Sequence, residues 1–219
     1  MANAILIFDL DGTLFRTETI TVPAVREAFA AYGLTPPDAR EIRSLIGSAS
    51  EEYRRWLAGL CPPDLALRIE HHAVARELEL IPEAGELYPS IEEALHALRP
   101  SLPLMAICSN GPESYVRAVL EGCSIAGLFD AVRFRRDDDA DKSQMLHDLL
   151  AAVRSLIRGP GVVVGDRWDD VEAAHANGLA AIGAGWGYAA AGELDEADIV
   201  IDDPKQLTAA ALRLLQSPP

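Results

Sequence analysis

Apolar residues occur along this chain in two rhythms. The first is a set of short unbroken runs. Ala4, Ile5, Leu6, Ile7 and Phe8 form one, closed by Asp9-Leu10-Asp11-Gly12. Others cover 102–108, 162–164, 180–182 and 198–201. Runs this short, bounded by turn residues, predict strands buried on both faces. The second rhythm is helical. Ile91, Leu95 and Leu98 share one face, as do Val116, Val119 and Leu120. Met145, Leu146, Leu149 and Leu150 repeat it, with Val153 and Leu156 beyond. Strands alternating with helices predict an α/β fold, a parallel sheet covered on both faces.

Residues 16–88 break this alternation. Val22, Val25, Ala28 and Phe29 make an amphipathic face that Gly33 can stop. Ile42, Leu45 and Ile46 end at Gly47, and Tyr53, Trp56 and Leu57 end at Gly59. Residues 65–80 predict a long helix that ends before Pro82. An all-helical insert of about 70 residues is too long for a loop and large enough for a small subdomain. The expected organisation is a core of residues 1–15 and 89–219 with a helical insert at 16–88.

Composition narrows the class. The chain has 219 residues, 49% hydrophobic and 24% charged, with a formal net charge of −15. That acidity argues against nucleic acid or an anionic membrane surface as a partner. No apolar run approaches the roughly 18 residues of a membrane span. No basic leader precedes the first apolar run, so no signal peptide is expected. Cys61, Cys108 and Cys123 are odd in number and none pairs as C-x-x-C. They fit a reducing cytoplasm better than a disulfide framework or zinc site. Cys108 reads as a small buried hydrophobe, not a nucleophile. The cluster 135–139 reads as a solvated loop, and 216–219 as a frayed tail.

The chemistry concentrates where the first run ends. Asp9 and Asp11 are two apart, so in a strand both address one side. Carboxyl ends of strands are where open α/β sheets bind ligands. Gly12 lets the chain turn sharply away.

With three further motifs, this sequence resembles the haloacid dehalogenase-like hydrolases over nearly its whole length. The motifs are Asp9-Leu10-Asp11-Gly12-Thr13, Ser109-Asn110-Gly111, Lys142, and Gly165-Asp166-Arg167-Trp168-Asp169-Asp170. The resemblance implies a Rossmann-like core with an inserted helical cap, and Mg²⁺-dependent phosphatase chemistry. It implies Asp9 as nucleophile, Asp11 as general acid and base, and Ser109 and Lys142 as catalytic partners. Asp9, Asp11 (through its carbonyl), Asp166 and Asp170 would hold the metal. Hard oxygen donors of this kind suit Mg²⁺. Ser109, Asn110, Gly111 and Lys142 would bind the phosphoryl group. Lys142 is one of only two lysines, and Ser143 stands where many relatives have proline.

Asp11 argues against carbon–halogen cleavage, since the dehalogenases lack that aspartate. No basic residue follows Gly47 in 47–51, unlike the mutases, and the insert has no lysine for a phosphonatase Schiff base. Residues 16–85 carry 8 basic and 11 acidic residues, only −3 of the −15. Such a lid would admit an anionic ester, with Arg16, Thr17, Arg43 and Arg54 as candidate contacts. The Trp186-Gly187-Tyr188 segment resembles one in the phosphoglycolate phosphatase-like branch and would flank the site or cover the sheet edge. His71, His72 and His175 lack metal-ligand spacing and read as surface or packing residues. The expected activity is hydrolysis of a small cytoplasmic phosphate monoester by a monomer or homodimer. Alternatives are a nucleotide or pyrophosphate phosphatase, a sugar-phosphate mutase, or a non-catalytic binding protein on this fold.

Overall fold

A computed structural model describes residues 4–48, 50–102, 104–157 and 159–216. Its centre is a six-stranded sheet of β1 (Ile5–Phe8), β2 (Leu104–Ser109), β3 (Ala131–Phe134), β4 (Gly161–Gly165), β5 (Ala180–Ala184) and β6 (Ile199–Ile201). The order is β3-β2-β1-β4-β5-β6, with every neighbouring pair parallel. The chain therefore winds outward from β1 on one side, then returns and winds outward on the other. β1 and β4 meet where the winding reverses, which places a crevice at their carboxyl ends.

The runs of β1, β2 and β4 are buried on both faces, as their lack of alternation demands, whereas β6 at the sheet edge leaves Val200 exposed. Leu6, Phe8, Met105, Ile107, Val162 and Val164 pack to one side. Helices α5 (Ile91–Leu98), α6 (Glu113–Gly122) and α9 (Leu207–Gln216) cover them. Ile5, Ile7, Leu104, Ala106, Cys108 and Val163 face the other way, onto α7 (Lys142–Val153) and α8 (Trp168–Ala176).

Between β1 and α5 stand α1 (Glu18–Ala31), α2 (Ala39–Ser44), α3 (Ser50–Leu60) and α4 (Pro63–Ala84). They enclose an apolar cluster of their own, which includes Phe29, Ile42, Leu57 and Ile69. The bases of α1 and α4 join the sheet's core through Ile20, Ala24, Leu80 and Ile81. The two connecting segments pair with each other: Arg16 N–H donates to the Glu86 carbonyl at 2.8 Å, and Tyr88 N–H to that of Leu14 at 2.9 Å.

Three expectations change. The sequence signals five strands, and the described residues form six. β3 is the addition: its four residues include a charged Arg133 that interrupts any apolar run. The long insert helix does not stop before Pro82; it runs through that proline to Ala84, forgoing the one hydrogen bond that the missing N–H would make. The charge cluster is not all solvated. Asp139 accepts from the buried Arg133 guanidinium and from Arg136 N–H, folding the loop after β3 back on itself. Pro103, Ala49 and the tail from Ser217 onward lie outside the described residues.

Candidate active site

Strand ends build the site. Asp9 follows β1, and its N–H donates to the Val164 carbonyl at 2.8 Å, which locks the first motif to β4. Ser109 is the last residue of β2, and Asp166 follows β4. Lys142 opens α7 and Asp170 lies in the first turn of α8. Asp9, Asp11, Ser109, Lys142, Asp166 and Asp170 are all buried.

Lys142 Nζ lies 2.6 Å from Asp9 Oδ1 and 2.5 Å from Asp170 Oδ1. Asp9, Asp166 and Asp170 each present an oxygen within 4.8 Å of the others. Asp166 accepts from Thr13 Oγ1 at 3.3 Å and from Tyr188 N–H at 2.7 Å. Asp170 Oδ2 accepts from Arg167 N–H at 3.0 Å. Gly12 has φ +81°, and a Cβ there would run into the Asp166 carboxylate. Only glycine can turn the chain at that approach.

The electrostatics of this cluster call for a cation. Four buried carboxylates, Asp9, Asp11, Asp166 and Asp170, stand against the single ammonium of Lys142. Burial raises Asp9 well above the carboxylate range; Lys142 opposes this, while the neighbouring aspartates add to it. Burial, then Asp170, pushes Asp166 up to about 8. Burial pushes Asp170 to about 6 despite Lys142. Burial alone would lower Lys142, but Asp170 and Asp9 outweigh it and hold it well above its ordinary value. An all-oxygen donor set with excess negative charge fits a hard divalent cation such as Mg²⁺.

Asp11 stands apart from the three clustered acids. Its Oδ1 accepts from Thr17 Oγ1 at 2.6 Å and from the Tyr115 hydroxyl at 2.6 Å. Burial raises it, and these two hydroxyls offset only part of that rise. It lies on the wall of a cavity of about 430 Å³ between the insert and the sheet, which Thr17, Arg54, Asn110 and Gly111 also line. Ser109 Oγ accepts from Gly111 N–H at 3.0 Å, which shapes the turn after β2.

The remaining predicted contacts divide. Thr17 is in the site, but as a partner of Asp11. Asn110 spends its amide on the Gly47 carbonyl at 3.2 Å and on Asp169 at 3.0 Å. Arg54 reaches the cavity while paired to Glu70 at 2.9 Å. Arg16 and Arg43 do not line the cavity. Arg16 is drawn to Glu86 at 2.7 Å and Glu18 at 3.4 Å, beside the paired connecting segments. Arg43 sits exposed in the last turn of α2, where it complements the helix C-terminus. Cys108 is buried and pushed up to about 12 by that burial, so it offers no thiolate.

Three positions at the candidate site escape the sequence reading. Tyr115 sits one residue before the apolar face of α6, and nothing in spacing marks its hydroxyl. Arg167 bridges the two parts, donating to the Ile46 carbonyl at 2.7 Å and to Glu193 at 2.7 Å. Glu77 of α4 lines the cavity. The 186–188 segment flanks the site: Trp186 Nε1 donates to the Thr13 carbonyl at 3.1 Å, and the Tyr188 hydroxyl pairs with Glu18 at the start of α1.

Comparison with known proteins agrees with this geometry. A model of the haloacid dehalogenase-like hydrolases matches residues 4–178. A phosphoglycolate phosphatase of Synechococcus elongatus is 31% identical over 96% of this chain and 98% of its own. Probable phosphatase IndB of Dickeya dadantii is 30% identical over 97% of this chain and 95% of its own. The solved structure of CbbY from Rhodobacter sphaeroides in complex with phosphate superposes with a TM-score of 0.81. It is 26% identical, covering 98% of this chain and all of that one.

Proposed function

The chain belongs to the haloacid dehalogenase-like hydrolases, and from that premise we propose that it hydrolyses a small phosphate monoester through an aspartyl-phosphate on Asp9. The observation that carries this reading is the pairing of Lys142 Nζ with both Asp9 and Asp170, at 2.6 and 2.5 Å, inside an excess of buried carboxylate. A lysine so placed favours the ionised form of a carboxylate nucleophile that burial pushes toward protonation, and a bound divalent cation would favour it further.

In this reading Asp9 attacks phosphorus and the leaving oxygen departs with a proton from Asp11. The second step reverses Asp11's role: it takes a proton from water as that water attacks the aspartyl-phosphate. Thr17 and Tyr115 hold the Asp11 carboxyl in the orientation both steps need. Ser109 and the turn at Asn110-Gly111 face the phosphoryl oxygens, and Lys142 offsets their charge. Asp9, the Asp11 carbonyl, Asp166 and Asp170 would hold Mg²⁺. When bound, the ion would offset repulsion between anionic ester and anionic nucleophile.

Residues 16–88 would act as the cap that closes over the cavity and excludes bulk water. The substrate class is a small phosphometabolite, with phosphoglycolate first by analogy with the named relatives. No helix among the described residues is long and apolar enough to cross a membrane, in keeping with a substrate in solution.

Phosphate release from a panel of small monoesters tests the reading. Release that needs Mg²⁺ and stops with EDTA supports it. Mg²⁺-dependent ligand binding without turnover would make this a binding protein on a phosphatase fold.

A further inference from the structure

The cavity over Asp11 has one acidic wall that the proposed chemistry does not use. Glu77, on α4, faces it. Thr21 Oγ1 donates to Glu77 Oε1 at 2.5 Å, and no cation pairs with this carboxylate among the described residues. The neighbouring acid on the same helix is treated differently: Glu70 has Arg54 at 2.9 Å. Glu77 lies on the Asp11 side of the cavity: its partner Thr21 is one helical turn from Thr17, whose hydroxyl holds Asp11 at 2.6 Å. Burial pushes Glu77 up to about 7. An ionised carboxylate left here without a cation is costly, and an arriving cation would offset that cost.

Besides Arg54, which is paired to Glu70, and His71 of α4, the cavity is lined by Arg135 and Arg136. Arg135 N–H donates to the Gly111 carbonyl at 3.0 Å, which puts this residue beside the turn that faces the phosphoryl group. Its Nη1 is buried with no acceptor among the described residues. Arg136 stands exposed over the Phe134 ring at 5.8 Å. These arginines suit the dianionic end of an ester. Glu77 suits the opposite end.

We propose that the leaving group of this enzyme's ester carries an ammonium group, as in an amino-alcohol phosphate, and that Glu77 receives it. The inference rests on the phosphatase reading above and departs from it on one point, replacing the phosphoglycolate chosen there by analogy with an ester whose leaving group is cationic. A carboxylate at the same place, as in phosphoglycolate, would meet Glu77 and Asp11 with like charge.

The test compares three esters of similar size with Mg²⁺: phosphoethanolamine, ethyl phosphate and 2-phosphoglycolate. Each is measured with the full chain and with Glu77→Gln, which keeps the acceptor for Thr21. The expected kcat/KM for phosphoethanolamine exceeds that for ethyl phosphate by about tenfold or more, the size of a charge-assisted hydrogen bond. Phosphoglycolate comes last, and Glu77→Gln removes the ammonium preference. Phosphoglycolate as the best of the three would overturn the proposal, and so would a preference that survives Glu77→Gln. Loss of all turnover in a folded Glu77→Gln protein would also overturn it, by placing Glu77 in the chemistry instead of in recognition. No release from any ester by the unaltered chain would contradict the phosphatase reading itself, and the proposal would fall with it.

Discussion

The Tyr115 hydroxyl donates to Oδ1 of Asp11 at 2.6 Å, from α6 on one side, while Thr17 donates to the same oxygen at 2.6 Å from the start of the insert. The proposed acid–base group is thereby held by both parts of the molecule. Tyr115→Phe keeps the ring and removes one anchor. It should lower kcat about tenfold with a small change in KM, since one hydrogen bond to a charged group is lost at the chemical step. Thr17→Val should do the same and Thr17→Ser should restore activity. Steady-state kinetics on the best ester check all three.

The buried acids make a pH prediction for the metal-free protein. Asp166 and Asp170 sit near 8 and 6 when folded, above the ordinary carboxylate value of 3.8. The folded state therefore holds more protons than the unfolded state between those values. Stability contributed by these groups is fully present below the unfolded value and is lost as pH rises through the folded values. Denaturant unfolding in EDTA should show stability falling from about pH 4 to about pH 8. Mg²⁺ should flatten the curve and raise it at the alkaline end, because a cation binds the ionised folded form. A curve that rises toward alkaline pH in EDTA would contradict this account of the acids.

Lys142 offers a separate test. Removing it by Lys142→Met leaves Asp9 and Asp170 without their shared cation. Breaking a buried pair from one side costs roughly 3–5 kcal/mol, so the metal-free variant should unfold at clearly lower denaturant than the parent. Mg²⁺ should recover part of the loss, while phosphate release stays abolished.

Much of this was legible in the sequence. The runs of β1, β2 and β4 are buried on both faces and carry no alternation to disguise them. Three of the four motifs lie at their ends because parallel strands deliver their carboxyl termini to one edge, and the fourth, Lys142, opens α7. What escaped are features made by tertiary approach. Tyr115 and Asp11 are 104 residues apart, and nothing local tells a phenol at the edge of an apolar face that it will meet an aspartate. β3 is hidden by Arg133, whose burial depends on Asp139 in the following loop. Arg16 and Arg43 show the converse: a cation near a motif is easily read as a ligand contact, whereas nearby acids or a helix end can hold it.

The contact between the insert and the sheet is also made of non-local pairs. Arg167 donates to the Ile46 carbonyl at 2.7 Å and Asn110 to that of Gly47 at 3.2 Å. Both clasp the segment after α2. Arg167→Ala should loosen this closure, raising KM more than it lowers kcat and increasing the radius of gyration in small-angle scattering. An unchanged KM and radius would show that the clasp does not set the closed arrangement.

The account turns on Asp9 as a nucleophile. The most direct measurement is the mass of the peptide carrying Asp9 after acid quench of the Mg²⁺-loaded protein turning over a good ester. The predicted result is one added phosphoryl group on Asp9, absent in Asp9→Asn, which also releases no phosphate. Steady phosphate release with Asp9 unmodified, or full activity in Asp9→Asn, would contradict it.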